Sequence, residues 1–246
     1  CSNRWAGVAM DWVKAKNYTI IVLVILNMVL LGLNIYKSFD TRLSYSRINS
    51  LNALLKDDNI TLSSKLPRSY KPMAEINASE YSFDNIKLQK IFFSGQNNVK
   101  RTEEYNSVIF MSDTSRLSLK GSSINYTTTL SYSINNEEKA KEYAAQLVND
   151  INNEFGKFKF YSISSANDEY VIKYYENREG YNIFSNFIYF TIKGNNASIA
   201  LNYVKLGSVI DTKNNIYAAD EALYSAVKSI KKEEEKPVIT DVKLGY

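Results

Sequence analysis

Between Tyr18 and Tyr36 the sequence reads YTIIVLVILNMVLLGLNIY, a run with no charged residue and no proline. Its 19 residues, at 1.5 Å of rise each, make roughly 28 Å of helix, close to the ~30 Å hydrocarbon core of a bilayer. Charge resumes on both sides, at Lys14 and Lys16 before the run and at Lys37 and Asp40 after it. Trp12, Tyr18 and Tyr36 mark its ends, where amphipathic rings suit the headgroup layer. These features predict a transmembrane helix over residues 18–36, preceded by a short tail over residues 1–17. The run is of full span length, and Leu33 to Phe39 offers no small-x-small cleavage site, so it reads as an uncleaved anchor. Arg4, Lys14 and Lys16 before the span balance Lys37, Arg42 and Arg47 after it, so charge alone leaves the orientation open.

After the anchor about 210 residues remain, enough for one large or two modest lobes with their own cores. Hydrophobic content of 45% and charged content of 23% are ordinary globular values. The net charge of +4 is spread along the chain without a basic block, which argues against nucleic acid as a partner. The only cysteine is Cys1, so the part beyond the anchor has neither a disulfide nor a thiolate metal site. Frequent Asn, Lys, Ile and Tyr suggest an AT-rich coding sequence. The N-x-[ST] matches at Asn59, Asn77, Asn125 and Asn196 then read as chance.

Catalytic signatures are missing. The chain has no histidine, which removes Ser-His-Asp, Cys-His and His-ligated metal sites together. Its nine glycines are too dispersed to cradle a phosphate. The acidic doublets Asp57/Asp58, Glu103/Glu104 and Glu137/Glu138 each fall at an expected turn, strand edge or helix start, where a solvated carboxylate needs no further role. No catalytic residue, cofactor or metal is therefore expected, and the chain is read as non-enzymatic. Tyr170, Tyr174, Tyr175, Tyr181 and Tyr189 suggest either an aromatic binding groove or cross-strand pairing in an antiparallel sheet, and the second is the simpler reading.

The pattern beyond the anchor is α+β. A helix is expected from Asp40, as N-cap, to Asp57, with Leu43, Ile48, Leu51 and Leu55 at helical spacing. A short strand follows at Ile60–Leu62, then a strand from Met73 and a helix capped by Asp84. Gly95–Lys100 reads as a polar break before strands at Tyr105–Met111, Arg116–Lys120 and Ile124–Ser133. Asn136–Phe155 is the clearest soluble helix, with Glu137 and Glu138 in its first turn and Gly156 closing it. Four strands are expected next, at Lys157–Ser164, Glu169–Glu176, Asn182–Lys193 and Ala197–Lys205, with Gly194-Asn195 as the last turn. A helix at Ala218–Lys231, a solvated KKEEEK connector and a strand at Val238–Tyr246 complete the chain. The expected architecture is an anchor followed by a membrane-proximal α+β lobe (37–133) and a membrane-distal one (134–246), helices packed on antiparallel sheets.

Within the anchor, Asn27 and Asn34 lie seven residues apart, on nearly one helix face, flanked by Leu23, Leu30 and Leu31. An amide in hydrocarbon gains roughly 0.5–2 kcal/mol from an interhelical partner. This stripe is the candidate seam against another membrane helix; the plainer alternative has Asn34 reaching the headgroups and Asn27 tolerated alone.

Met10-Asp11-Trp12-Val13-Lys14-Ala15-Lys16-Asn17, followed at once by an apolar run containing Ile25-Leu26-Asn27, resembles the N-terminus of the YycI/YycH family of single-span regulators of WalK-type sensor histidine kinases in Gram-positive bacteria. The ending Ile239-Thr240-Asp241-Val242-Lys243-Leu244-Gly245-Tyr246 is similar to that family's C-terminal I-x-x-I-x-L-G-Y strand. Met10 is then the expected start, with residues 1–9 not native. The resemblance implies a cell-membrane protein with a cytoplasmic N-terminus and an extracellular C-terminal domain. It also implies a WalK-type kinase and a YycH-like membrane protein as partners, in cell-wall homeostasis. Two other classes remain open: a wall- or peptide-binding extracellular module, and a pilin-like subunit, although the early acidic residue and leader pattern of pilins are missing.

Overall fold

The computed structural model describes residues 12–40, 42–69, 72–96, 98–214, 216–229 and 237–246, with 12–14, 37–40, 211–213 and 229 described by their backbone alone. The chain is α+β, with one N-terminal apolar helix and a sheet-rich C-terminal part. It forms two compact units, Cys1–Met73 with Asn215–Val242, and Ala74–Asn214 with Lys243–Tyr246.

The first unit begins with α1 (Trp12–Asp40), a continuous helix of 29 residues. Its segment Ala15–Tyr36 has a mean hydropathy of 2.3 and is long and apolar enough to cross a membrane. None of that window is buried, so its apolar side chains have no core of their own to enter. α2 (Tyr45–Asp57) starts later than the expected helix because α1 runs on to Asp40, and Ser44 rather than Asp40 is the cap. The Ser44 hydroxyl accepts from the Arg47 N–H at 3.4 Å, which meets one of the four donors a helix start leaves open. Asn59, left-handed at φ 59°, follows the end of α2. Next come β1 (Thr61–Leu62), α5 (Ala219–Ser229) and β11 (Val238–Ile239), β1 and β11 pairing in parallel. Leu51, Leu55, Ile60 and Leu223 form the small buried core, backed by Leu62, Leu66, Val227 and Ile239. The KKEEEK connector lies outside the described residues.

The second unit is built on one antiparallel sheet of seven strands, in the order β3-β4-β5-β6-β9-β8-β7. These are β3 (Lys100–Glu104), β4 (Ser107–Met111), β5 (Ser115–Lys120), β6 (Ser123–Ile134), β7 (Phe158–Ala166), β8 (Glu169–Arg178) and β9 (Tyr181–Asn202). β2 (Met73–Glu80) and β10 (Val204–Asn214) pair as a separate ribbon. Helix α3 (Asn85–Phe92) is capped by Asp84 as expected, and α4 (Glu137–Glu154) is capped by Asn136. Both lie over one face of the sheet. Phe92 of α3 and the adjoining Phe93 meet Tyr126 of β6, and Tyr143 of α4 meets Phe190 of β9. That face carries Phe110, Leu117, Ile124, Ile172, Ile188, Phe190, Ile192 and Ile199, each at most 1% exposed. Burying such side chains is worth about 1.5–3 kcal/mol apiece, which makes this layer the main stabilising element.

Two expectations change here. Gly194-Asn195 does not separate two strands: β9 runs through it for 22 residues. Its first part pairs with β8 and its last with β6, and Gly194 (φ 60°) sits at the register shift between them. An isolated glycine in a strand pattern is a bulge signal as well as a turn signal, and here the change of partner decides. The division of the chain also differs from the expected lobes at 37–133 and 134–246. β6 and β9 lie side by side in one sheet across that boundary, while the early helix α2 and the late helix α5 share a core. The polar break expected at Gly95–Lys100 ends in β3, an edge strand whose five residues are all exposed and so carry no alternating signal.

Candidate functional site

The membrane-seam residues all lie on the continuous helix α1. Leu23, Asn27, Leu30 and Asn34 recur at steps of four, three and four, the spacing of a packing stripe, with Leu31 beside it. All five are exposed, Leu23 and Leu30 at 50% and Leu31 at 63%. Asn27 Nδ2 donates to the Leu23 carbonyl at 2.9 Å. That bond folds the amide against its own helix and uses one N–H, leaving the other N–H and the carbonyl oxygen for a neighbour. Of the N-terminal motif, Met10 and Asp11 lie outside the described residues, Trp12 and Lys14 are placed in α1 by backbone, and Lys16 and Asn17 are exposed on it.

Leu244, Gly245 and Tyr246, at the other end of the chain, dock onto the start of β9. The Tyr246 N–H donates to the Asn182 carbonyl at 2.9 Å, and the Phe184 N–H donates to the Tyr246 carbonyl at 2.6 Å. Gly245 forms a parallel bridge with Asn182, and the Tyr246 ring stands edge-on to Tyr181 at 6.0 Å. A Cβ on Gly245 would sit 2.4 Å from Phe184 Cε2 and 2.5 Å from the Asn182 carbonyl oxygen. The glycine is needed here for space. The expected strand over Val238–Tyr246 is thus two short contacts: β11 in the first unit, and this docked end in the second.

The acidic doublets are not brought together. Asp57 ends α2 and Asp58 caps it; Glu103 and Glu104 lie on β3; Glu137 and Glu138 occupy the first turn of α4. Arg101 pairs with Glu103 and Lys141 with Glu137. Among the described residues, no group of three or more His, Cys, Asp or Glu side chains is placed to hold a metal ion.

The five tyrosines fall in three places. Tyr170 and Tyr174 belong to the helix-covered core. Tyr181 meets Tyr246. Tyr175 and Tyr189 lie on the opposite face of the sheet, joined through their hydroxyls, with Phe187 stacked on Tyr189 at 4.4 Å. Loss of water around Tyr175, followed by its bond to Tyr189, raises its phenol well above the usual tyrosine range.

Sequence reasoning missed a groove of the first unit, between α2 and α5. Arg47 Nε and Nη2 grip Asp220 at 2.7 and 2.9 Å, and Nη2 also meets Glu221 at 2.8 Å. A hollow of about 320 Å³ opens beside them, with Leu54 and Tyr224 on its walls. Arg47 and Asp220 are 173 residues apart, so no local pattern joins them. Compared with known proteins, the chain matches no family model, no curated protein and no solved structure.

Proposed function

We propose that this chain is a membrane-anchored, non-enzymatic accessory regulator of a WalK-type sensor histidine kinase, acting with a YycH-like partner in cell-wall homeostasis. The N-terminus lies in the cytoplasm and the sheet-rich part outside. The observation that carries the reading is α1: a 22-residue apolar stretch buried nowhere in its own chain, bearing an amide on a leucine stripe. Such a surface is satisfied by lipid on most sides and by a second helix along the stripe. The motif at Met10–Asn17 and the Leu244-Gly245-Tyr246 ending supply the choice of family and the orientation. Regulation requires that the helix contact differ between the kinase's two states, because equal affinity for both shifts nothing.

Co-purification of the tagged full chain from membranes, with and without Asn27→Leu, tests this. An amide contact between membrane helices is worth roughly 0.6–2 kcal/mol. Kinase and partner recovery is therefore expected to fall about three- to thirty-fold in the variant. Recovery of no histidine kinase with the wild-type chain would overturn the assignment. Unchanged recovery would move the contact away from the seam.

A further inference from the structure

We infer that the outer face of β9 is a binding strip for a linear, carboxylate-bearing glycan. This goes beyond the regulator reading and does not depend on it. α3 and α4 cover the opposite face of the sheet; between Phe187 and Lys193 β9 pairs with β8, and its pairing with β6 begins only at Gly194. The outer face of this stretch offers a row of side chains.

Alternation puts Phe187, Tyr189, Thr191 and Lys193 on that outer face, while Ile188, Phe190 and Ile192 point into the core. The run covers roughly 20 Å at ~3.3 Å per residue, several times the width of one pyranose ring. Phe187 and Tyr189 stack at 4.4 Å and 27°, with Tyr175 edge-on behind Tyr189 at 5.8 Å. Both stacked rings are partly exposed, and partly exposed rings suit the C–H faces of sugars. Lys173, the cross-strand neighbour of Tyr189, places Nζ 5.4 Å from its ring centre. Farther along, Thr191 and Lys193 line a hollow of about 290 Å³ with Thr127, Thr129, Asn196 and Ser198. Hydroxyls and an amide there match the hydroxyls of a sugar, and the lysines match its carboxylates.

The balance of groups selects the ligand. Two lysines stand along the strip among several neutral donors and acceptors, with Glu169 directly opposite Lys193. That suits a chain with a charge on some of its rings better than a nucleic acid with one on every residue.

Calorimetry on the full chain, in a detergent without a sugar headgroup, tests the strip with three probes: a hyaluronan octasaccharide, an uncharged chito-oligosaccharide of equal length, and oligothymidylate. The hyaluronan fragment is expected to bind at least about tenfold more tightly than either other probe, and Tyr189→Ser and Lys193→Glu each to weaken it by about tenfold. Lys193 is exposed, so its variant is expected to stay folded at the assay temperature, with only a small drop in melting temperature from facing Glu169, and to report on binding. Absence of heat with hyaluronan, equal or tighter binding of the uncharged glycan or of oligothymidylate, or unchanged affinity in Lys193→Glu would overturn the inference.

Discussion

Gly245 shows how one missing atom can fix a chain end. Its absent Cβ leaves room for the Phe184 ring and the Asn182 carbonyl. Gly245→Ala is expected to cost about 1–3 kcal/mol, as overpacking does, and to speed hydrogen exchange at the Phe184 N–H, which now donates to Tyr246. Asn186 works in the opposite sense, by what it contributes. It is wholly buried, donates to Glu176 and to the Val204 carbonyl, and accepts from the Val204 N–H at 2.8 Å. Asn186→Ala leaves those groups without a partner and is expected to destabilise by roughly 1–3 kcal/mol in urea titrations. Gly245 was legible in the sequence as part of a C-terminal pattern, but its contact with Phe184 was not. Asn186 was not legible at all, because one asparagine in an asparagine-rich chain carries no sign of burial.

Elements whose stability is decided locally were readable. Asp84 and Asn136 cap α3 and α4 because a side-chain acceptor beside the first turn satisfies donors within three residues. β9 was misread because its continuity depends on partners far away in sequence. Gly194 looks like a turn until β8 is seen on one part of the strand and β6 on the other. A Cβ there would meet only Ser133 Oγ at 3.8 Å, so space is not the constraint; the left-handed backbone at φ +60° is. Gly194→Ala is accordingly expected to lower stability by about 1–2 kcal/mol, measured by chemical denaturation, with the fold unchanged. β3 escaped notice for another reason: an edge strand wetted on both faces has no apolar period to detect.

On the scale of the whole molecule, aromatic burial carries a pH signature. Burial raises the phenols of Tyr143, Tyr174, Tyr175 and Tyr203 above their ordinary range. In the unfolded chain these groups ionise near pH 10, whereas the folded chain holds its protons longer. The unfolded state therefore binds fewer protons above about pH 10, and stability falls as pH rises through that region and beyond. Below about pH 9 these groups leave stability unchanged. Thermal melts between about pH 8 and 11, with phenolate absorbance followed in parallel, are expected to show the melting temperature dropping only at the alkaline end. The absence of histidine and the apolar first helix were legible from the sequence alone. The α2–α5 core was not, since it joins segments at opposite ends of the chain.

The whole account depends on α1 being retained in lipid. The direct measurement is alkaline carbonate extraction of membranes from cells making the untagged chain, followed by intact mass of the pelleted and released protein. The expected result is a carbonate-resistant chain that still contains Tyr18–Tyr36. A released, shortened chain that begins after Tyr36 would contradict it.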